Sequence, residues 1–233
     1  LPTAALAEGT AENVAEVTIS DGTTTQYADI EAAFTAAQAA ESASVKLLKD
    51  VTIPKDDRDY SYGIELERGN ITLDLNGRTI QTTGGASSFI QRNSVFYINN
   101  GSSLTVRDNS ANGDGKIVQP NAGQAIHVGG ALTVESGAIE VTSTDTNQDG
   151  FMTQNCAVFL NGGTANILGG ALTGNKGIYV KNGTLTVSGG TIHGRGSYAL
   201  QVAGGTVQLS GGSYTTGVSD RCSIWNADGP AAT

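Results

Sequence analysis

The 233-residue sequence predicts an all-β protein, a right-handed parallel β-helix with three strands per coil and an N-terminal capping α-helix. Three observations support this prediction. The 32 glycines are about twice the usual frequency, short phrases of alternating apolar residues recur along the chain, and one alanine-rich segment breaks that alternation. Such a composition is typical of many short strands that are joined by tight turns.

The recurring phrase is clearest in KGIYVKNGTLTVSGGTIHGRG (176–196), where NG and GG turns separate three short strand pieces. Related phrases begin near residues 63, 95, 124, 156, 198 and 222, and the last full repeats are only 20–22 residues long. This period is too short for repeats that contain a helix. Equivalent residues stacked about 4.8 Å apart would bury a continuous core that no single coil could bury alone.

The alternation also predicts which side chains of each strand piece face inward. A period of two places Ile178 and Val180 on one face of the first piece, and the same applies to Leu185 and Val187 in the second. The third piece of each coil is centred on one residue, and these residues are predicted to align: Ile80, Ile117, Ile139, Leu172, Ile192 and Tyr214. The second piece then has an outward column of small polar residues: Thr72, Thr105, Thr133, Asn166, Thr186 and Gln208.

The chain divides into three predicted regions. Residues 1–14 resemble a signal-peptide remnant or flexible tail, because small residues have the spacing of a signal-peptidase site, although an alanine-rich linker would look similar. Residues 15–55 form an N-terminal cap. Residues 56–233 form the coils of the β-helix, which we expect to continue beyond this chain.

The cap contains the segment YADIEAAFTAAQAA, which predicts a helix over residues 28–40. Ile30, Phe34 and Ala37 fall on one face of that helix. A helix at this position would cover the apolar side chains and unpaired strand edges at the end of the tube. Its predicted role is therefore structural.

The charge of the chain excludes several classes of partner. With 22 acidic and 13 basic residues, the net charge is −9 and no basic stripe is present. We therefore expect no binding to nucleic acid or to an anionic membrane surface. No apolar run of 18 residues is present, which predicts no membrane insertion. We expect a monomer.

Two stretches resemble a known family. ITLDLNGRTI (71–80) and SLTVRDNSANGDGKI (103–117) are similar to pectin-lyase-like β-helix regions in surface proteins of Gram-positive, often gut-dwelling, bacteria. The resemblance extends over residues 15–229 and implies a protein that is secreted or displayed at the cell wall. The family motif is structural, so the resemblance does not imply polysaccharide cleavage.

An outward column on the first strand piece is the candidate binding site. Four of its seven side chains are large aromatics, although only 6% of all residues are aromatic. Flat, rigid rings bind sugar rings and extended peptides at low entropic cost. The column therefore predicts adhesion or carbohydrate recognition, with a glycan or a host or cell-surface protein as ligand. Its members are Glu65, Tyr97, His127, Phe159, Tyr179, Gln201 and Trp225, with His127 and Gln201 as polar contacts.

An alternative interpretation of the column is that its rings only stack on one another. We expect such stacking for Phe159 beside Tyr179. Tyr97 and Trp225 have fewer rings in the flanking coils, and we expect less stacking there.

Two other functions stay open, a polysaccharide-degrading enzyme of the lyase or hydrolase type and a purely structural stalk. Hydrolysis requires clustered carboxylates, and the outward column contains only Glu65. Asp74, Arg107 and Glu135 follow the second strand piece on successive coils and predict a surface salt-bridge ladder. We therefore assign no catalytic residue.

The segment STDTNQDG (143–150) is a candidate calcium loop. Asp145, Asn147 and Asp149 match the D-x-N-x-D-G opening of such loops. The twelfth position is Cys156 instead of the bidentate Glu of an EF-hand, so a calcium ion would need a distal carboxylate. Turn composition alone also yields such strings, and no other cofactor is predicted. A less specific calcium candidate consists of Asp108, Asn112 and Asp114.

The two cysteines occupy equivalent places in their coils. Three coils separate Cys156 from Cys222, which corresponds to roughly 14 Å at strand spacing. A disulfide requires Cα atoms within about 7 Å of each other. We therefore predict two unpaired, largely inward thiols.

Overall fold

The structure is a computed structural model and describes residues 12–55, 62–83, 93–143 and 155–227. These residues are mostly β, with 21 strands and one α-helix, which is compatible with the predicted all-β class. Strand β1 (Ala15–Ile19) pairs antiparallel with β2 (Thr24–Tyr27) and β3 (Ser42–Leu47). Every other strand pair in these ranges is parallel.

The parallel strands form three ladders, which the chain visits repeatedly in the same order. The first ladder contains β5 (Ile64–Leu66), β8 (Ser94–Ile98), β11 (Gln124–Val128), the first parts of β14 (Cys156–Ile167) and β16 (Lys176–Val187), β18 (Leu200–Val202) and β21 (Ile224–Asn226). The second contains β3, β6 (Gly69–Asp74), β9 (Ser102–Arg107), β12 (Ala131–Val134), the second parts of β14 and β16, and β19 (Thr206–Leu209). The third contains β4 (Val51–Ile53), β7 (Thr79–Thr82), β10 (Lys116–Gln119), β13 (Ala138–Val141), β15 (Ala171–Gly174), β17 (Thr191–Gly194) and β20 (Ser213–Thr216).

The first and second ladders belong to one 14-stranded sheet, because β14 and β16 each run through both ladders. The sequence predicts separate strand pieces here, and in these two repeats that prediction is wrong. A shift of register between Leu160 and Thr164 accommodates the bend within a continuous strand. The third ladder forms a separate seven-stranded sheet.

The inward side chains form one continuous apolar core along the ladders. Ile178, Val180, Leu185, Val187 and Ile192 are completely buried, as the alternation predicts. Burial of such a side chain contributes about 1.5–3 kcal/mol. The predicted alignment of the third ladder is also confirmed, and it consists of Ile80, Ile117, Ile139, Leu172, Ile192 and Tyr214.

The single helix of the described residues, α1 (Ile30–Ala39), is slightly shorter than predicted. It begins after Asp29, whose carboxylate accepts a hydrogen bond from the Ala32 amide at 2.7 Å and caps the helix. Ile30, Phe34 and Ala37 are buried in the core. The predicted apolar face of the helix is therefore confirmed.

The side chain of Gln38 connects α1 to the backbone of the first ladder. Its Nε2 donates to the Glu65 carbonyl oxygen at 3.2 Å, and its Oε1 accepts from the Glu67 amide at 2.8 Å. These two hydrogen bonds satisfy backbone groups at the edge of β5. Unpaired backbone groups at such an edge can pair with a strand of another chain.

A row of glycines forms the turns that precede the third ladder. Four of them have φ between 80° and 89°, in the left-handed region that other residues resist: Gly137, Gly170, Gly190 and Gly212. A Cβ atom at Gly190 would also lie 2.8 Å from the Gly169 carbonyl oxygen of the preceding repeat. Close stacking of successive turns therefore requires glycine here.

We expect Gly190→Ala to lower the free energy of unfolding more than Gly22→Ala. Gly22 has a similar φ of 88°, but no described heavy atom lies within 4 Å of an added Cβ. The left-handed backbone alone costs about 1–2 kcal/mol, and overpacking at Gly190 adds about 1–3 kcal/mol. Urea denaturation of both variants measures the difference. Equal losses would show that successive turns are not in close contact.

Candidate functional site

The seven outward residues of the first ladder, here called the ring column, are aligned as predicted. Consecutive strands pair Glu65 with Tyr97, Tyr97 with His127, and so on to Trp225. Neighbouring strands are about 4.8 Å apart, which places consecutive side chains within contact distance. The register therefore brings all seven predicted site residues together.

Five rings form an unbroken series along the column. Tyr62 stacks on Tyr97 with centroids 4.2 Å apart, and Tyr97 meets His127 edge-on at 4.7 Å. His127 contacts Phe159 at 4.8 Å, and Phe159 stacks on Tyr179 at 5.5 Å. Each contact contributes about 0.5–1.5 kcal/mol beyond burial of area. The rings therefore stabilise the fold whether or not they bind a ligand.

The members of the column differ in exposure. Phe159 is 4% exposed and His127 is 8% exposed, so both are buried although they face away from the core. Tyr97, Tyr179, Gln201 and Trp225 are half-buried, and Glu65 is exposed. A ligand on this face would therefore contact the half-buried side chains, and the prediction that all seven bind a ligand stays a prediction.

Our expectation of less stacking for Tyr97 and Trp225 is wrong. Tyr97 packs against both Tyr62 and His127. Trp225 stacks on Tyr198, with ring centroids 5.3 Å apart and planes inclined by 12°. The sequence pattern misses Tyr62 and Tyr198 because both precede their strands and lie outside the alternation.

A cation and an amide accompany the rings at the end of the column. The Arg221 guanidinium lies 5.3 Å from the centre of the Tyr198 ring, and its Nη1 donates to Ser197 Oγ at 3.4 Å. Gln201 Oε1 is buried without a hydrogen-bond partner among the described residues. Further along the column, Lys176 Nζ lies 5.6 Å from the centre of the Tyr179 ring.

Burial makes His127 an unprotonated aromatic ring at neutral pH. Its removal from water, assisted by the charge of Lys181, lowers the pKa of His127 to about 4. Its Nδ1 is buried and has no hydrogen-bond partner in the described part of the chain. Burial also raises the pKa of Tyr179, with a second contribution from Cys156. His127 therefore packs here as a neutral ring, and its role as a polar contact stays a prediction.

The predicted salt-bridge ladder is reduced to one ion pair. Arg107 Nε lies 4.0 Å from Asp74 Oδ2, and the buried Asp74 also accepts hydrogen bonds from the Asn76 amide and from Asn109. In the described ranges, no ion pair joins Arg107 to Glu135, which is exposed. The predicted structural role of this trio therefore fits Asp74 and Arg107, whereas the prediction that Glu135 takes part in the salt-bridge ladder is wrong.

Asp108 belongs to the less specific calcium candidate, and in the structure its carboxylate stabilises a turn. Its carboxylate accepts hydrogen bonds from the backbone amides of Gly77, Ser110 and Gly115 at 2.8, 3.1 and 2.6 Å. Burial acts to raise the pKa of Asp108, but these hydrogen bonds outweigh it and lower the pKa. Both carboxylate oxygens of Asp108 thus accept hydrogen bonds from the backbone.

The other calcium candidate lies outside the described residues. Asp145, Asn147 and Asp149 belong to residues 144–154, so calcium binding there stays a prediction. Among the residues that the structure describes, no group of three or more His, Cys, Asp or Glu side chains is placed to hold a metal ion.

Both cysteines are unpaired, as predicted, but only one of them is buried. Burial raises the pKa of Cys156 to about 12, so its thiol stays protonated and poorly nucleophilic. Cys222 is exposed, and the prediction of an inward thiol is wrong there. Cys222 lies two residues before β21, which among the described strands pairs only with β18.

Comparison of the chain with protein-family models, with curated proteins and with solved structures finds no match. In the described ranges, no helix has the length and apolar character needed to cross a membrane.

We expect the folded protein to lose stability as the pH falls from 6.5 towards 4. The unfolded chain binds a proton at His127 below pH 6.5, whereas the folded chain binds it only near pH 4. His127 therefore causes no loss of stability above pH 6.5. Below pH 6.5 and down to about pH 4, it lowers the free energy of unfolding by about 1.4 kcal/mol per pH unit. Urea denaturation at pH 7 and pH 5 measures how far the free energy of unfolding falls between the two pH values. This fall should be about 2 kcal/mol smaller in His127→Phe than in the wild type.

His193→Gln is the matched control, because His193 lies on β17 in the third ladder, away from the ring column. This variant should keep the wild-type dependence on pH. An unchanged pH-dependence in His127→Phe would contradict the buried, neutral state of His127.

Proposed function

We propose that the chain is a right-handed parallel β-helix module, secreted or displayed at the cell surface, that functions in adhesion or carbohydrate recognition. The β-helix is supported by the fixed order in which the chain visits the three parallel ladders. Connections between parallel strands of one sheet are right-handed in nearly all proteins, which supports the handedness. The resemblance of residues 71–80 and 103–117 to surface-protein repeats supports the location.

The observation that carries the proposed function is the straight row of accessible rings in the ring column. Tyr97, Tyr179 and Trp225 are partly exposed and lie on strands of one parallel ladder. Five strand steps separate Tyr97 from Trp225, a span of about 24 Å. Such a row matches an extended chain of several sugar units or an extended peptide.

The buried members of the column hold the accessible rings in place. Phe159 packs against Tyr179, and His127 packs against Tyr97. A ring that is already fixed loses little conformational entropy when a ligand binds, so preorganisation favours affinity. Burial and recognition are therefore compatible roles within one column.

A structural stalk is the second candidate, and the burial of Phe159 and His127 favours it. In a stalk, the rings would only stabilise the stacking of successive strands. Glu65, the carboxylate of the column, accepts a hydrogen bond from Asn99 Nδ2 at 2.7 Å and has no acidic neighbour in the column. The described contacts thus offer no observation that favours the enzyme alternative over these two.

We expect the protein to bind specific ligands on a glycan array, and Tyr179→Ala to weaken that binding about two- to tenfold, since one stacking ring contributes about 0.5–1.5 kcal/mol. Thr186→Ala is the matched control, because Thr186 lies on the same strand but on the outward face of the second ladder. The array is run with calcium and again with a chelator.

Three outcomes of this experiment separate the alternatives. Binding that is lost in Tyr179→Ala and kept in Thr186→Ala supports recognition by the ring column. Binding that is lost only with the chelator would transfer recognition to the calcium candidate at 145–149. A blank array, together with a stability loss in Tyr179→Ala, would overturn carbohydrate recognition in favour of the stalk.

A further inference from the structure

The C-terminal third of the chain has the opposite charge to the rest. Residues 155–233 contain four basic residues and two acidic residues, a net charge of +2, whereas the whole chain has a net charge of −9. Such asymmetry within one chain marks a surface that attracts ligands of the opposite sign. The part of the ring column beyond His127 lies in this basic region.

Two of the four cations lie over aromatic rings. Lys176 Nζ is over the ring of Tyr179. Arg221 is over the ring of Tyr198, which in turn stacks on Trp225. Rings and positive charge therefore occur together in this part of the column.

Arg221 is the cation best placed to bind a ligand. It is exposed, and the structure gives it no ion pair among the described residues. Its contacts with the Tyr198 ring and with Ser197 Oγ hold the guanidinium beside the Tyr198–Trp225 pair. A guanidinium fixed in this way donates two parallel hydrogen bonds to a carboxylate or a sulfate.

Trp225 and Gln201 supply the other contacts that a sugar needs. Trp225 lies on β21 beside Gln201 of β18 and is half-buried, so part of its ring is accessible. Gln201, its neighbour in the column, has an amide oxygen without a hydrogen-bond partner among the described residues.

We propose that this end of the ring column binds an anionic glycan, in which Trp225 stacks on a sugar ring and Arg221 pairs with its carboxylate or sulfate. The inference rests on the proposed function and adds the class of ligand. Asp220 precedes Arg221, and Asp220 and Asp228 are the two acidic residues of the region, so their charge opposes such a ligand.

The experiment measures binding of three polymers by isothermal titration calorimetry. Chondroitin sulfate carries carboxylate and sulfate, chondroitin carries carboxylate alone, and dextran is neutral. We expect the two charged polymers to bind at least about tenfold more tightly than dextran, with an affinity that falls as salt is added. Binding of chondroitin sulfate alone would identify sulfate as the group that Arg221 recognises.

Variants of Arg221 test the residue itself. Arg221→Gln should weaken binding of the charged polymers about tenfold, and Arg221→Lys should restore part of the loss because it keeps the charge without the planar fork. Arg78→Gln removes an exposed cation that lies away from the ring column, and it should leave binding unchanged. Asp220→Asn should strengthen binding.

The two proposals fail in different ways. If dextran binds as tightly as chondroitin, or if Arg221→Gln binds like the wild type, the anionic class is wrong while carbohydrate recognition stands. If none of the polymers binds but neutral glycans on the array do, the anionic class is again wrong and carbohydrate recognition stands. If neither the polymers nor any glycan on the array binds, both proposals are wrong.

Discussion

Parallel pairing in register is the constraint on which the rest of the structure depends. Side chains alternate along a strand, so a slip of one residue would turn Ile178 and Val180 outward and Tyr179 inward. The apolar core and the ring column are therefore two consequences of the same register. The cost of exposing completely buried side chains fixes that register, and with it the positions of the rings.

Turns and contacts outside the strands complete this arrangement. The left-handed glycines before the third ladder allow successive turns to approach closely, and Asp108 satisfies three backbone amides at another turn. On the outer face, Phe159 and His127 fill the space between accessible rings. The stability of the fold and the rigidity of the candidate site thus depend on the same stacking, so substitutions must be chosen among the half-buried rings.

Most of the strand arrangement could be predicted from the sequence, because apolar residues at period two and recurrent glycine turns define both faces and the register. The ring column was predicted residue by residue for the same reason. The burial of His127 and the contacts of Tyr62 and Tyr198 were not predicted, because they depend on segments outside the alternation. The exposure of Cys222 was not predicted either, because its place in the repeat matches that of the buried Cys156.

The most direct test of the register at the ring column is disulfide formation between introduced cysteines in a Cys222→Ser background. Tyr179 and Gln201 are direct neighbours on adjacent strands, about 4.8 Å apart, which a disulfide can bridge. Trp225 lies two strands from Tyr179, about 10 Å away, beyond the reach of a disulfide. Under mild oxidation, Tyr179→Cys/Gln201→Cys should form the bond and Tyr179→Cys/Trp225→Cys should not. Cross-linking of the second pair instead of the first would contradict the aligned column.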